Sequence, residues 1–258
     1  MSWFEAIVLG LVQGLTEFLP VSSSGHLAIA KALFGIETGD IAFEIVVHAA
    51  TVLSVIVVFW KDIVALLQGL FRFRLNEQTK YILLLILSMI PVFIVGVFFK
   101  DQVEALFGSG LTVVGCALCV TALLLAFSQI YKPDQKEINW WRALVIGLAQ
   151  AIAVIPGLSR SGSTIATGLI CGVKRSEIAR FSFLMVLVPI LGEAFLDLVG
   201  GGFAASSVGA LPLLLGFVTA FCSGLFACKA MIAIVKKASL GWFAGYCAVV
   251  GILCIVFA

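Results

Sequence analysis

The sequence predicts an all-α integral membrane protein, built as an inverted-topology repeat of six transmembrane helices and two re-entrant helical hairpins. Three observations lead to this fold class. Hydrophobic residues make up 62% of the 258-residue chain and charged residues only 12%, whereas soluble domains are roughly half apolar and about a quarter charged. Long apolar runs recur along the chain. One polar pattern occurs twice, at two breaks in the apolar sequence.

Six apolar segments are long enough to cross the ~30 Å hydrocarbon core of a bilayer as helices. These predicted spans are 41–60, 81–99, 111–130, 178–199, 210–235 and 240–257. The net charge of +2 is too small to indicate a nucleic-acid partner, and no basic tract is dense enough to bind one. The seven cysteines all lie in apolar segments and are expected to pack.

Two further apolar regions, 2–34 and 142–173, are each interrupted by proline and glycine. The breaking residues are Pro20, Gly25, Pro156, Gly157 and Gly162. Each half is too short to cross the membrane, and irregular backbone at membrane depth is tolerated only inside protein or beside a watery cavity. Both regions are therefore predicted to be re-entrant hairpins.

The two breaks are copies of one another at a spacing of 137 residues. "GLVQ" at 10–13 matches "GLAQ" at 147–150, and "DIA" at 40–42 matches "EIA" at 177–179. "VVG" at 113–115 recurs at 249–251, one residue out of phase. We predict one membrane domain with repeats of about 1–130 and 138–258, each a hairpin followed by three spans. An odd number of spans inverts the second repeat, so the hairpins meet near the bilayer midplane.

Charge distribution sets the expected orientation. Basic residues concentrate in the loops that this topology places on one side, and only Lys31 and Lys100 fall on the other. By the positive-inside rule, both termini lie outside the cytoplasm. The inner-side basic residues are Lys61, Arg72, Arg74, Lys80, Lys132, Lys136, Arg142, Lys174, Arg175, Arg180, Lys236 and Lys237.

The first break concentrates polar residues in the stretch "QGLTEFLPVSSSGHL". Gln13 and Glu17 are four residues apart and share one face of a helix that ends before Pro20. The serines at 22–24 precede a second helix, where serine caps free backbone N–H groups, and His26 falls in its first turn. Serine caps alone have an ordinary structural explanation.

Arg160, within "PGLSRSGST" at the second break, is harder to explain structurally. A guanidinium in hydrocarbon costs at least ~2.5–3.5 kcal/mol, so it needs an anionic partner or a watery cavity. Two converging helix N-termini add a positive field, and a planar guanidinium suits phosphate. We therefore predict an anion site at the meeting point. Its predicted phosphate-binding residues are Ser22, Ser24, Gly25, Ser159, Arg160, Ser161, Gly162 and Thr164.

Together, "EFLPVSSSGH" and "PGLSRSGST" closely resemble the two signature motifs of the undecaprenyl-pyrophosphate phosphatase family, the bacitracin-resistance proteins. The resemblance covers essentially the whole chain. It implies a bacterial inner-membrane hydrolase with a periplasmic site, which converts undecaprenyl pyrophosphate to undecaprenyl phosphate, recycles the carrier for peptidoglycan and confers bacitracin resistance. The resemblance also implies that the substrate is a polyprenyl pyrophosphate lipid and that the protein contacts membrane lipid. Whether the chain forms a homodimer is left open. The family's first motif begins with Glu or Gln, and here it is Gln13.

We assign catalytic roles to Glu17, Ser23, His26 and Arg160 as a hypothesis. Ser23 is the expected nucleophile by its place in the family motif, although Ser22 and Ser24 are each one residue away. His26 is the expected base that takes the serine proton, and Arg160 is the group that holds the phosphoryl oxygens. Glu17 is expected to orient His26 or to hold Mg²⁺ or Ca²⁺ with Gln13. A phospho-histidine intermediate and attack by metal-bound water remain alternatives.

A second class of function also fits the pattern, a transporter or flippase for a polyprenyl phosphate or another anionic lipid, because inverted repeats with broken helices are common in transporters. Three polar residues inside the predicted spans carry weaker expectations. Glu44 either lines the cavity or reaches the interface, His48 packs without a partner, and Glu193 faces the bundle interior without an assigned role.

Overall fold

The computed structural model describes residues 1–36, 41–108, 110–131, 135–192 and 208–258, and its named elements are α-helices. They are α1 (Trp3–Phe18), α2 (Ser23–Phe34), α3 (Ile41–Val58), α4 (Trp60–Leu70), α5 (Glu77–Phe98), α6 (Lys100–Phe107), α7 (Gly110–Ser128), α8 (Trp140–Ile152), α9 (Arg160–Ile170), α10 (Arg175–Met185), α11 (Ala210–Lys237) and α12 (Gly241–Phe257).

Among the described residues, α5, α7 and α11 are long and apolar enough to cross a membrane as single helices. Helices α3 and α4 are bent by 75° at a short break and together make a fourth candidate. At 17 residues, α12 is a shorter apolar helix. The all-helical architecture and the integral membrane class are therefore confirmed. Five helices, α3, α5, α7, α11 and α12, begin and end within four residues of the predicted spans.

The structure differs from the predicted spans in three places. Residues 61–80 are predicted to form a loop, but α4 occupies the first half of this stretch, and α6 follows α5 where no helix is predicted. The span predicted at 178–199 is not one continuous helix, because α10 ends at Met185 and a turn at Val186 precedes helical residues 187–192. Pro189 has no N–H to donate to the carbonyl of Met185, which accounts for the break. Residues 193–199, including Glu193, lie outside the described residues.

Helices from the two predicted repeats pack against each other in matching pairs. The first hairpin helix, α1, runs along α11, and the first helix of the second hairpin, α8, runs along α5. The last helices of the two repeats, α7 and α12, pack together. A core of fully buried side chains fills the space around α7, α9, α10 and α11; it includes Leu118, Ile165, Met185 and Met231.

The contact between α7 and α12 is formed by the repeated "VVG" residues themselves. A Cβ added to Gly115 would lie 2.6 Å from the carbonyl oxygen of Gly251, and one added to Gly251 would lie 2.8 Å from the carbonyl oxygen of Gly115. Each glycine therefore admits the backbone of the other. Reciprocal contacts of this kind are what a two-fold axis between the helices produces.

We expect Gly251→Ala to destabilise the protein, because the added methyl would meet the Gly115 carbonyl and the Cys119 sulfur, each at 2.8 Å. Overpacking of this kind costs about 1–3 kcal/mol. Gly245→Ala on the same helix is the matched control, since a Cβ there meets nothing within 4 Å. Thermal unfolding in detergent micelles should show a lower midpoint for the first variant alone. Equal midpoints would contradict the close approach.

Candidate active site

The first break is a capped turn between α1 and α2. Helix α1 ends at Phe18 and Leu19 is extended, as expected before a proline. The hydroxyl of Ser22 accepts a hydrogen bond from the backbone N–H of Gly25 at 3.2 Å and caps α2. Ser22 itself has φ 69°, an uncommon value for a residue with a side chain.

The second break repeats this cap in detail. The hydroxyl of Ser159 accepts from the N–H of Gly162 at 3.0 Å at the start of α9. The hydroxyl oxygens of Ser159 and Ser161 are 3.4 Å apart, and those of Ser22 and Ser24 are 3.3 Å apart. The serine caps predicted at both helix starts are thus confirmed.

The two breaks lie against each other inside the protein. The hydroxyl of Ser161 donates to the carbonyl of Leu19 at 3.0 Å, and the N–H of Gly157 donates to the hydroxyl of Ser24 at 3.4 Å. A Cβ on Gly25 would approach Gly157, and one on Gly162 would approach Pro20. The repeat pairs Pro20 with Gly157 and Gly25 with Gly162, so these contacts are reciprocal.

Glu17 is the centre of the site. Its side chain is 4% exposed, and one carboxylate oxygen accepts an ion-paired hydrogen bond from Nη2 of Arg160 across the two breaks. The other oxygen accepts from the hydroxyl of Ser23 at 2.6 Å and from Nε2 of Gln13 at 2.8 Å. Three of the predicted site residues therefore converge on this one carboxylate.

The second histidine also approaches this carboxylate. Nε2 of His48 lies 3.9 Å from Oε2 of Glu17, while its Nδ1 is 2.8 Å from the carbonyl of Glu44. No pattern in the sequence indicated a partner for His48, because the contact joins α1 to α3. Glu44 pairs with the buried ammonium of Lys31 and so links α2 to α3.

His26 does not occupy the position that a base for Ser23 would need. Its Nδ1 is 2.8 Å from the carbonyl of Ser22, and its Nε2 is 2.7 Å from the hydroxyl of Tyr246. The hydroxyl of Ser23 donates to Glu17 instead. The structure therefore makes Glu17, not His26, the acceptor beside the serine.

Besides the contact of His48, sequence reasoning missed two residues at this site. Ser182 shares a small cleft with Glu17, Arg160 and Ser161. Its hydroxyl lies 2.5 Å from that of Thr164, which in turn donates to the backbone carbonyl of Arg160 at 2.9 Å. Tyr246 is the other. Single polar residues in apolar helices, such as these, carry no periodic or motif signal that would have selected them.

The expected ligands of a divalent cation, Gln13 and Glu17, contact each other through the Gln13 Nε2. Oε1 of Gln13 is buried and has no hydrogen-bond partner among the described residues, and Oε2 of Glu17 is adjacent through the Gln13 amide. Hard cations such as Mg²⁺ and Ca²⁺ prefer such oxygens. No group of three or more His, Cys, Asp or Glu side chains in the described part of the chain could form a complete cage. The unpartnered Oε1 of Gln13 is the one observation here that fits a cation.

Together, the fold and the site define a helical membrane protein in which a serine, a carboxylate and an arginine meet across two helix breaks. This set of residues is typical of phosphoryl-transfer sites. The family model described as Bacitracin resistance protein BacA matches residues 6–253. The chain belongs to this family.

Full-length relatives carry the name undecaprenyl-diphosphatase. One from Parabacteroides distasonis is 61% identical over 260 residues, and one from Bacteroides fragilis is 59% identical over 261 residues; each alignment covers 99% of this chain and 98% of the relative. A more distant relative from Methanosphaera stadtmanae is 38% identical over 270 residues, covering 98% of this chain and 96% of its own.

The ion pair at the site should matter for stability as well. Arg160→Met leaves the buried Glu17 carboxylate without its cation, which costs about 3–5 kcal/mol. Glu17→Gln combined with Arg160→Met should recover much of this loss, because no charge is then buried unpaired. Thermal unfolding in detergent measures both.

A matched control is the ion pair between Arg180 and Asp62, in which both side chains are 38% exposed. Asp62→Asn should cost about 0–1 kcal/mol, because water screens the exposed pair. A single Arg160→Met variant as stable as wild type would contradict the placement of Glu17.

Proposed function

We propose that this chain hydrolyses undecaprenyl diphosphate to undecaprenyl phosphate and inorganic phosphate, and thereby recycles the lipid carrier of cell-wall synthesis. The observation that carries the proposal is the shared carboxylate: Glu17 holds Ser23 from its own break and Arg160 from the other. The names of the full-length relatives support it, as does the family description as bacitracin-resistance proteins.

In the proposed reaction, Oγ of Ser23 attacks the terminal phosphorus while its proton passes to Oε2 of Glu17, 2.6 Å away. The bond between that phosphorus and the bridging oxygen breaks, and undecaprenyl phosphate leaves. The protonated Glu17 returns this proton to the leaving phosphate oxygen. Water then attacks the phosphoserine and gives a proton to Glu17. The bond between phosphorus and Oγ of Ser23 breaks, and Glu17 returns the proton to Oγ as inorganic phosphate departs. This order gives Glu17 the role of base that the sequence suggested for His26.

Arg160 is proposed to stabilise the charge on the transferring phosphoryl group. Nη2 of Arg160 contacts Glu17. The other N–H groups of the guanidinium are left to bind phosphoryl oxygens in a forked geometry. The capped N-termini of α2 and α9 converge on the same place and add positive field. The Thr164 hydroxyl bonds the Arg160 carbonyl and supports this position.

A divalent cation, Mg²⁺ or Ca²⁺, is proposed to bind at Gln13 and Glu17. It would neutralise diphosphate charge when bound. Gln13 orients the carboxylate through its Nε2 and leaves Oε1 as the second oxygen donor.

We also propose the finer topology: six spans and two re-entrant hairpins in two inverted repeats of about 1–130 and 138–258. The reciprocal contacts between Gly115 and Gly251 and between the two breaks support it. The inner-side excess of lysine and arginine supports an inner-membrane protein with both termini and the site on the periplasmic side.

Glu17→Ala and Arg160→Ala should each reduce phosphate release from undecaprenyl diphosphate about a hundredfold, which corresponds to roughly 2–3 kcal/mol of transition-state stabilisation. Exposed residues give the matched controls: Glu77→Ala and Arg72→Ala should keep wild-type turnover. Release is measured in detergent, where there is no second compartment, so a pure lipid transporter would release none. Near-normal turnover in both site variants would refute the assignment.

The covalent route is tested by trapping labelled phosphate during turnover. Acid quenching with ³²P-labelled substrate should leave acid-stable label on Ser23, and Ser23→Ala should abolish both label and turnover. Acid-labile label would instead indicate a phospho-histidine, and turnover without label would indicate direct attack by water.

Chelation tests the proposed cation. EDTA should lower phosphate release at least about tenfold, and Mg²⁺ or Ca²⁺ should restore it. Gln13→Ala should raise the cation concentration needed for half-maximal activity, because one oxygen donor is lost, whereas Gln78→Ala, beyond the site on α5, should leave it unchanged. Activity that is indifferent to EDTA would overturn this part of the proposal.

A further inference from the structure

The backbone of Ser22 is strained just before the proposed nucleophile. Its φ of 69° and ψ of 102° lie outside the regions that a residue with a side chain normally adopts. Ser22 is also buried, with 3% of its surface exposed. Strained residues persist only where the surrounding structure holds them in place, and they cluster at functional sites.

The helix cap does not require this strain. Ser159, the counterpart of Ser22 in the repeat, caps α9 through the same hydrogen bond with φ −71° and ψ 116°, an ordinary extended conformation. The strain therefore serves another purpose than capping. The next residue after Ser22 is Ser23, whose hydroxyl must lie on Glu17, while Ser159 is followed by Arg160, whose long side chain reaches Glu17 from a relaxed turn.

His26 holds the strained residue. The carbonyl oxygen of Ser22 accepts a hydrogen bond from the backbone N–H of His26 at 3.2 Å. Nδ1 of the His26 ring lies 2.8 Å from the same carbonyl oxygen. At the second break, the counterpart Ser163 donates only its backbone N–H to the carbonyl of Ser159, and its hydroxyl has no partner among the described residues. The side-chain bond thus exists only where the backbone is strained.

Tyr246, from α12 at the other end of the chain, holds His26 in turn. A carbonyl oxygen can only accept, so Nδ1 of His26 must carry a proton. In the neutral ring, Nε2 is then an acceptor, and the Tyr246 hydroxyl donates to it at 2.7 Å. The two rings also stack, with centroids 5.6 Å apart and planes 11° from parallel.

We infer that Tyr246 is a positioning residue that acts through His26: together they clamp the strained Ser22 carbonyl and thereby keep the Ser23 hydroxyl on Glu17. Rotation of the Ser22 backbone would redirect the adjoining Ser23 and lengthen its 2.6 Å bond to the carboxylate. The kinetic test of this inference rests on the proposed function. The spectroscopic test does not, because it needs no substrate.

The kinetic test compares variants that keep or remove each bond. Tyr246→Phe keeps the ring and removes the hydroxyl, and it should lower kcat about tenfold with KM within about twofold, because substrate binding is not what the clamp provides. In a His26→Ala background the same change should alter kcat less than about twofold, since Tyr246 acts only through the imidazole. Tyr131→Phe, beyond the end of α7, is the matched control and should behave as wild type.

Replacement of His26 distinguishes a positioning role of its side chain, the clamp on the Ser22 carbonyl, from a role as general base. His26→Asn keeps an N–H donor near the position of Nδ1, whereas His26→Gln places its amide further out. A clamp predicts that the asparagine variant keeps at least about five times the kcat of the glutamine variant. A base predicts that both lose activity equally, and that result would overturn the clamp.

The spectroscopic test needs no substrate. His26 and His48 are the only two histidines, so ¹⁵N spectra of ring-labelled protein resolve both, and His26→Asn identifies the His26 signals. Wild type should show His26 with Nδ1 protonated and Nε2 accepting, and Tyr246→Phe should shift it toward the other tautomer, while Tyr131→Phe should not.

The outcomes separate this inference from the proposed function. Wild-type protein that releases no phosphate refutes the function, but the tautomer shift still decides whether Tyr246 holds His26. Active wild-type protein in which Tyr246→Phe changes neither kcat nor the His26 spectrum refutes the clamp and leaves the function standing.

Discussion

A carboxylate with almost no solvent contact sets the requirements for the rest of this structure. Burial of a charged group is costly unless it is paired and fully hydrogen-bonded, and the side chain of Glu17 is 4% exposed. Its partners are Gln13 and Ser23 from one break and Arg160 from the other. The buried charge of Glu17 is therefore compensated only when the two breaks are in contact. The packing of α1 along α11 and of α8 along α5 holds the breaks together.

Contact at the breaks depends on residues that allow two backbones to approach. Gly25 lies against Gly157, and Gly162 lies against Pro20. Hydroxyl groups then satisfy the polar backbone atoms that the broken helices expose, as Ser161 does for the Leu19 carbonyl. This arrangement explains how irregular backbone is kept within an apolar bundle: each break supplies the hydrogen-bond partners of the other.

The features predictable from sequence were those with a local cause. Pro20 and Pro156 mark the breaks, serine marks the caps, and an arginine in an apolar segment signals an anionic partner. The partner of His26 was not predictable, since Tyr246 lies 220 residues away. The approach of His48 to Glu17 was missed for the same reason, because it depends on how α3 packs against α1. The break in the predicted span 178–199 did have a local signal in Pro189, which the apolar run concealed.

The proposed repeat also accounts for a site whose two halves carry different side chains. If a pseudo-two-fold axis passes between the breaks, equivalent residues beside it reach a common point, and Ser23 and Arg160 are equivalent at the spacing of 137. One carboxylate near the axis can therefore bind both Ser23 and Arg160. The counterpart of Glu17 at this spacing is Val154, so there is no second carboxylate at the equivalent position. Gln150, the counterpart of Gln13, is buried with no side-chain partner among the described residues. Two different side chains thus contact one carboxylate, and in the proposed reaction this difference makes Ser23 the nucleophile and Arg160 the phosphate-binding group.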